Sequence, residues 1–238
     1  MRREIPWTTL LIEGVAIVIS ILLAFAIDAW WDERKDRAEE IEILIGLETE
    51  FVDLRERLIL WGKFNQTSAT LIERFLSDEV NSMDLPEVED VFMRSFLANV
   101  LDQGGPLDAL LSSGRLEQIG DREIRDRLAK WPDWLEDIHT NDVSIRDFSW
   151  REIAPYLARH GIPDTVCPER QWRCLESGIV PQRYLALAAD SEFRALMIIR
   201  RLMSWSTAHD HGNAREQADE VLELIRERLT ELGGREET

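Results

Sequence analysis

Sustained alternation of apolar and polar residues, the mark of a half-buried strand, is missing from this sequence. Proline is missing from the whole stretch between Pro6 and Pro86, and Gly14, Gly46 and Gly62 are the only glycines before Asn65. A long uninterrupted helix is therefore permitted over the first third of the chain. Positive charge is scarce: 28 Lys and Arg stand against 46 Asp and Glu, a formal net charge of −18. A field of that sign repels phosphate backbones, so nucleic-acid binding is excluded as a leading function.

The motifs that carry common chemistries are also missing. There is no His-Glu-x-x-His and no Gly-x-Ser-x-Gly elbow, Gly104-Gly105 has no following lysine to make a phosphate loop, and Cys167 and Cys174 lack Cys-x-x-Cys spacing. His209-Asp210-His211, with Ser204 and Ser206 nearby, is the most tempting metal or hydrolase cluster, and the sequence places it at a helix end. Histidines two apart do not share a helical face, however, so catalysis and metal binding are not expected there. No cofactor is expected. Trp131, Trp134, Trp150, Trp172 and Trp205 are read as core, with a pocket lining as the alternative.

What is present begins with an apolar run. Leu10 to Ile27 is apolar except for Glu13 and Ser20. At 1.5 Å per residue these positions span about 27 Å, close to the roughly 30 Å hydrocarbon core of a bilayer. Trp7 lies at one end, with Trp30 and Trp31 at the other, where indole rings prefer the headgroup boundary. The expectation is one transmembrane helix over residues 9–29 after a short tail, 1–8. The rival is a cleaved signal peptide, since Arg2 and Arg3 form a basic start and Ala24-Phe25-Ala26 has the small-x-small form of a cleavage site. Glu13 and the paired tryptophans argue against it.

Ala16, Ser20 and Ala24 recur every four residues, with Glu13 and Asp28 continuing nearly the same line. Small residues at that spacing let helices approach closely in lipid, which makes this face a candidate oligomer seam. The alternative is that alanine and serine are simply common in membrane helices. Glu13 either snorkels to the near interface or holds a proton-coupling role in a membrane assembly.

The residues Glu13-Gly14-Val15-Ala16-Ile17-Val18-Ile19-Ser20-Ile21-Leu22-Leu23-Ala24-Phe25-Ala26-Ile27-Asp28-Ala29-Trp30, followed by Glu33-Arg34-Lys35, resemble a bacterial family known as domain of unknown function 6090. A second stretch, Leu110 to Arg125, is similar to that family's mid-domain segment. Ser20 stands where the family commonly has glycine, Ala26 where it has glutamine, and Asp28 where it has asparagine. The resemblance implies an N-terminal anchor and a helical domain, and it brings no activity, cofactor or catalytic residue.

Past the apolar run, Leu44, Leu47, Phe51, Leu54, Leu58 and Trp61 step by three and four. Such a stripe packs either against a second protomer as a coiled coil or within its own domain. Ala218, Leu222, Ile225, Leu229 and Leu232 repeat the spacing near the other end, and the two stripes can pack together. Between them, Pro86 opens a periodic run through Leu101 that Gly104-Gly105-Pro106 ends. Leu107 to Leu111 make a short helix capped by Ser113-Gly114, and Asp121 caps the start of another. Trp131-Pro132 and Pro155 punctuate the stretch after Asp121, and a helix covers about Tyr184 to His209. The expected fold class is all-α, a transmembrane helix continuing into a soluble helical bundle. Its parts are a charged amphipathic helix over 30–62, a bundle over 63–234 with an irregular loop at about 161–181, and a disordered tail at 235–238.

Basic groups do not orient the chain, because Arg2, Arg3 and the α-amino group on one flank nearly balance Arg34, Lys35 and Arg37 on the other. Cys167 and Cys174, the only two cysteines, are candidates for a disulfide across the irregular loop. Closing so short a loop contributes on the order of 2.5 kcal/mol by chain entropy. A bridged pair places the domain in an oxidising, extracytoplasmic compartment, and two reduced thiols are the alternative. The expected partners are the lipid bilayer and a second copy or another membrane protein, in a sensor or scaffold role without catalysis.

Overall fold

The computed structural model describes residues 7–97, 105–160 and 182–234, and every regular element among them is helical. The absence of proline between Pro6 and Pro86 has its expected outcome in α1, a single helix of 70 residues, Trp7–Leu76. Residues 62 and 63 lie within it without a break. A short 3-10 turn leads to α2 (Leu85–Phe96), and α3 (Pro106–Ser112) precedes α4 (Arg122–Phe148). A π turn, Ser149–Ile153, joins α4 to α5 (Ala154–Arg159). The last two helices are α6 (Gln182–Ala189) and α7 (Ser191–Glu231).

Local chemistry sets the helix ends. Asp84 and Glu87 form a reciprocal capping box at α2, with Glu87 N–H to Asp84 Oδ1 at 2.8 Å and Asp84 N–H to Glu87 Oε2 at 3.2 Å. Asp121 caps α4 by accepting from Ile124 N–H at 3.0 Å, as its place before an apolar run predicts. Gly114, at φ +70°, supplies the left-handed residue after α3. At the end of α7, Gly233 takes φ +69° and Gly234 N–H bonds back to Leu229 C=O at 2.9 Å.

Three boundaries differ from the sequence reading, and a fourth, at Pro155, agrees with it. α2 stops at Phe96 because Leu97 turns extended, well before Leu101. Pro132 lies inside α4 and does not interrupt it, its ring on the exposed side. Pro155, which has no N–H to give and whose ring crowds the carbonyl four residues back, is preceded at once by the π turn that relieves the crowding. The helix expected from Tyr184 to His209 is two helices. Asp190 ends α6 and caps α7, accepting from Phe193 N–H at 2.8 Å and from the Tyr156 hydroxyl at 2.7 Å. His209 to His211 thus lie in the interior of α7, not at a helix end.

α1, α4 and α7 make the frame. Glu40 meets Arg228, Gly62 meets His211 and Leu76 meets Arg194, so α1 and α7 run antiparallel over their whole shared length. The stripes Leu44 to Leu58 and Ala218 to Leu229 pack together as expected, with Ile124, Leu128, Trp131 and Ile138 of α4 completing a first core. Phe51 and Trp131 lie 4.8 Å apart, ring centre to ring centre, at its middle. The Leu44 to Leu58 stripe therefore packs within its own chain. Ile72, Phe75, Phe92, Tyr156, Phe193 and Met197 make a second core at the far end of α1, closed by α2, α5 and α6.

Arginines cover the carbonyl ends of the helices, where the backbone dipole leaves partial negative charge. Arg194 Nη1 donates to Leu76 C=O at the end of α1 and to Ala188 C=O at the end of α6, each at 2.8 Å. Arg37 donates to Leu232 C=O just past α7, from Nε at 3.0 Å and Nη2 at 2.8 Å. Glu50 serves a helix start, accepting from Leu107 N–H at 2.7 Å, and its burial raises the carboxyl pKa against that bond.

Arg37, Glu39 and Glu40 are the first residues of α1 tied to the rest of the domain by a described side-chain bond. Before them, α1 exposes Val15, Ile17, Val18, Ile19, Ile21, Leu22, Leu23, Phe25 and Ile27. Among the described residues no helix is long and apolar enough to cross a membrane. The expected span, Leu10 to Ile27, lies within α1, where side chains are described from Val15 on, Ala16 excepted.

Candidate functional site

The core stripe of α7 keeps one rhythm from end to end: Phe193, Met197, Arg200, Ser204, Thr207, His211, Ala214 and Ala218, all buried, step by four and three. Its middle four members are polar. α1 behaves alike, with Asn65 and Ser68 filling the register between Leu58 and Ile72. On α4 and into the π turn that follows it, the buried series Ile138, Asp142, Ile145 and Ser149 does the same. Three helices thus place polar residues at one level, and a polar belt separates the two apolar cores.

At the end of the belt nearer the second core, Arg200 is fully buried. Its Nε donates to Ser95 C=O at 3.1 Å and its Nη2 to Arg94 C=O at 2.9 Å, while Nη1 bonds Ser204 Oγ. The guanidinium therefore caps the C-terminus of α2, where the helix dipole supplies negative potential. Desolvation brings its pKa down to about 10, which leaves it charged at neutral pH. Ser149, in the π turn, donates to the same Ser95 carbonyl, and Ser95 Oγ donates to Val91 C=O at 2.6 Å. Arg200 is held by an interior of carbonyls and hydroxyls, with no solvent-facing edge for a substrate.

At the other end, His211 and Asp142 face each other across α7 and α4, Nε2 to Oδ2 at 4.0 Å, both buried. His211 Nδ1 lies 2.8 Å from Thr207 C=O. A carbonyl only accepts, so Nδ1 carries the hydrogen and Nε2 is turned toward Asp142. Neither Nε2 nor Oδ2 has a hydrogen-bond partner. Desolvation pushes the Asp142 carboxyl up to about 7 and pulls the imidazole below its ordinary value. Next to the pair, Asn141 Nδ2 donates to Asp210 Oδ2 at 2.8 Å.

The tempting His-Asp-His cluster is thereby divided. His211 is interior, whereas His209 is exposed and stacked on the exposed Trp205. The two rings belong to different environments and cannot share a metal ion, and no group of three ligating side chains exists among the described residues. Ser204 is engaged by Arg200 and Ser206 is exposed, so neither is placed against a base. Of the tryptophans, Trp131 is core and Trp134 half-buried, but Trp150 and Trp205 are exposed, which corrects their reading as core. Trp172 lies outside the described residues, as do Cys167 and Cys174.

On α1, Ser20, Ala24 and Asp28 are exposed, and the side chains of Glu13 and Ala16 lie outside what is described. Asp142, Arg200, Asn65, Ser68, Ser95, Ser149 and Thr207 escape a reading based on apolar stripes, because the stripe breaks where polar residues occupy its positions. The unbroken three-four spacing from Phe193 to Ala218 was the available signal. Comparison of the chain with family models, with curated proteins and with solved structures gives no match.

Proposed function

We propose that this is a membrane-anchored, non-enzymatic protein in which α1 joins a lipid-embedded N-terminal segment to a helical domain acting as a sensor or scaffold. The observation that carries the reading is the change of character along one helix. From Val15 to Ile27 its large apolar side chains are exposed, and from Leu44 to Phe75 one stripe of them forms the spine of two cores. Each aliphatic side chain favours insertion by about 0.5 kcal/mol on a translocon scale, and by about 1.5–3 kcal/mol in full transfer from water. The nine exposed between Val15 and Ile27, with Leu10 to Ile12 ahead of them, outweigh the about 3 kcal/mol of one carboxylate at Glu13.

The resemblance to a bacterial membrane family supports a single-pass placement in the inner membrane. The Cys167 and Cys174 spacing supports an extracytoplasmic domain. The line of Ala16, Ser20 and Ala24 supports self-association within the bilayer.

The test is alkaline carbonate extraction of cell membranes holding the full chain. The wild-type protein stays in the pellet, and an Ile19→Arg, Leu22→Arg double variant is released. A mature soluble product beginning near Ile27 overturns the anchor. Thiol labelling of Cys167 and Cys174 in intact cells, with and without reductant, tests sidedness.

A further inference from the structure

We propose that Asp142 and His211 form a proton-holding couple across the α4–α7 seam, the hydrogen residing on the Asp142 carboxyl that faces His211 Nε2. The geometry forces the proton. Nδ1 is committed to the Thr207 carbonyl at 2.8 Å, and the two remaining atoms, Nε2 and Oδ2, face each other at 4.0 Å without another partner. Two bare lone pairs turned toward each other away from the surface repel, so one of the two groups carries a hydrogen. Burial of both groups favours the neutral arrangement, carboxylic acid beside imidazole, over imidazolium beside carboxylate.

The surroundings do not supply the missing charge. α1 faces His211 with Gly62, whose added Cβ position lies 3.3 Å from His211 Cβ, and carries Asn65 one turn on. The charged α1 residues nearest in sequence are Lys63, which is exposed, and Arg57, which lies within electrostatic reach of Glu50. α7 contributes Asp210, held by Asn141, and α4 contributes His139. Of these, the Asp210 carboxylate favours a protonated His211, against the larger effect of burial.

In the unfolded chain between about pH 4 and pH 6.5, Asp142 is a carboxylate and His211 an imidazolium, which together hold one proton. The folded pair also holds one, moved from the ring to the carboxyl. The couple therefore exchanges no net proton on folding across that window, and its two linkage slopes cancel. With the domain extracytoplasmic, as proposed for its function, the seam stays closed while the outside acidifies; the couple itself does not depend on that placement.

Each single variant exposes one slope. With Asp142→Asn, the buried neutral His211 remains, so the unfolded state binds the extra proton and stability is lost as pH falls below 6.5. With His211→Leu, the buried protonated Asp142 remains, so stability is lost as pH rises from about 4 to about 7. Denaturant unfolding of the full chain in detergent from pH 4.5 to 7 measures both. Relative to wild type, the unfolding equilibrium of Asp142→Asn grows up to tenfold per unit of acidification, and that of His211→Leu grows up to tenfold per unit in the opposite direction. Profiles parallel to wild type, or slopes of one sign, overturn the couple. Should a variant fail to fold, imidazole nitrogen chemical shifts of the wild-type protein decide at pH 5.5. A neutral ring with hydrogen on Nδ1 is expected for His211, and an imidazolium overturns the assignment.

Discussion

Arg228 lays its guanidinium along the Glu40 carboxylate, Nε to Oε1 at 2.9 Å and Nη2 to Oε2 at 3.2 Å. The same carboxylate accepts the backbone N–H of Gly120 at 2.9 Å, so one buried acid binds α7 and the approach to α4 to α1. Hydrogen bonding to Glu40 raises the Arg228 pKa, fixing its charge. Replacing Glu40 with alanine leaves a half-buried cation and an unpaired N–H, and stability falls by about 3 kcal/mol. Denaturant titration of the variant against wild type measures the loss.

Arg200→Met roughly keeps the side-chain volume but removes the guanidinium's bonds to the carbonyls of Arg94 and Ser95 and to Ser204, leaving Ser149 as a donor to Ser95. About 2–4 kcal/mol is lost. The loss has a location: amide exchange over Leu85–Phe96 rises more than over the first core, because α2 loses its C-terminal cap.

Trp131→Ala empties the middle of the first core and costs about 4 kcal/mol, whereas Trp205→Ala, at a side chain 66% exposed, stays within about 0.5 kcal/mol of wild type. Equal losses at the two sites are the outcome that contradicts the packing described. Chemical denaturation of both variants decides it.

A chain shortened to begin at Asp36 keeps Arg37 and Glu40 and every described contact of both cores. Its unfolding free energy matches the full chain within about 0.5 kcal/mol, and it needs no detergent to stay in solution. Gly105→Ala, in contrast, sets a methyl group against the Glu50 carboxylate that caps α3, and costs about 1–2 kcal/mol.

The parts of the fold legible in the sequence were those written in apolar residues. The Leu44 to Leu58 and Ala218 to Leu229 stripes announced the first core, and Asp121 announced the start of α4. Where the stripe turns polar the helices continue, and a reading by hydropathy stops. The helices α1 and α7 were longer than expected for this reason, and the Asp142–His211 pair was invisible because its partners lie on different helices. Proline misled in one place and informed in another. Pro132 sits on the outer face of α4, where a missing N–H is tolerated, while Pro155 coincides with a π turn. Asp190 could have been read as a cap, but the apolar residues on both sides hid it.

The length of α1 carries a mechanical consequence. Seventy residues at 1.5 Å each give a rod of about 105 Å, without proline or a π turn to absorb torsion. Its side chains interlock with α7 at a repeating spacing, so it cannot creep along its neighbour by a fraction of a turn. A displacement begun near Val15 reaches Phe75 either as a rotation of the whole rod or as a jump of about 5.4 Å to the next register.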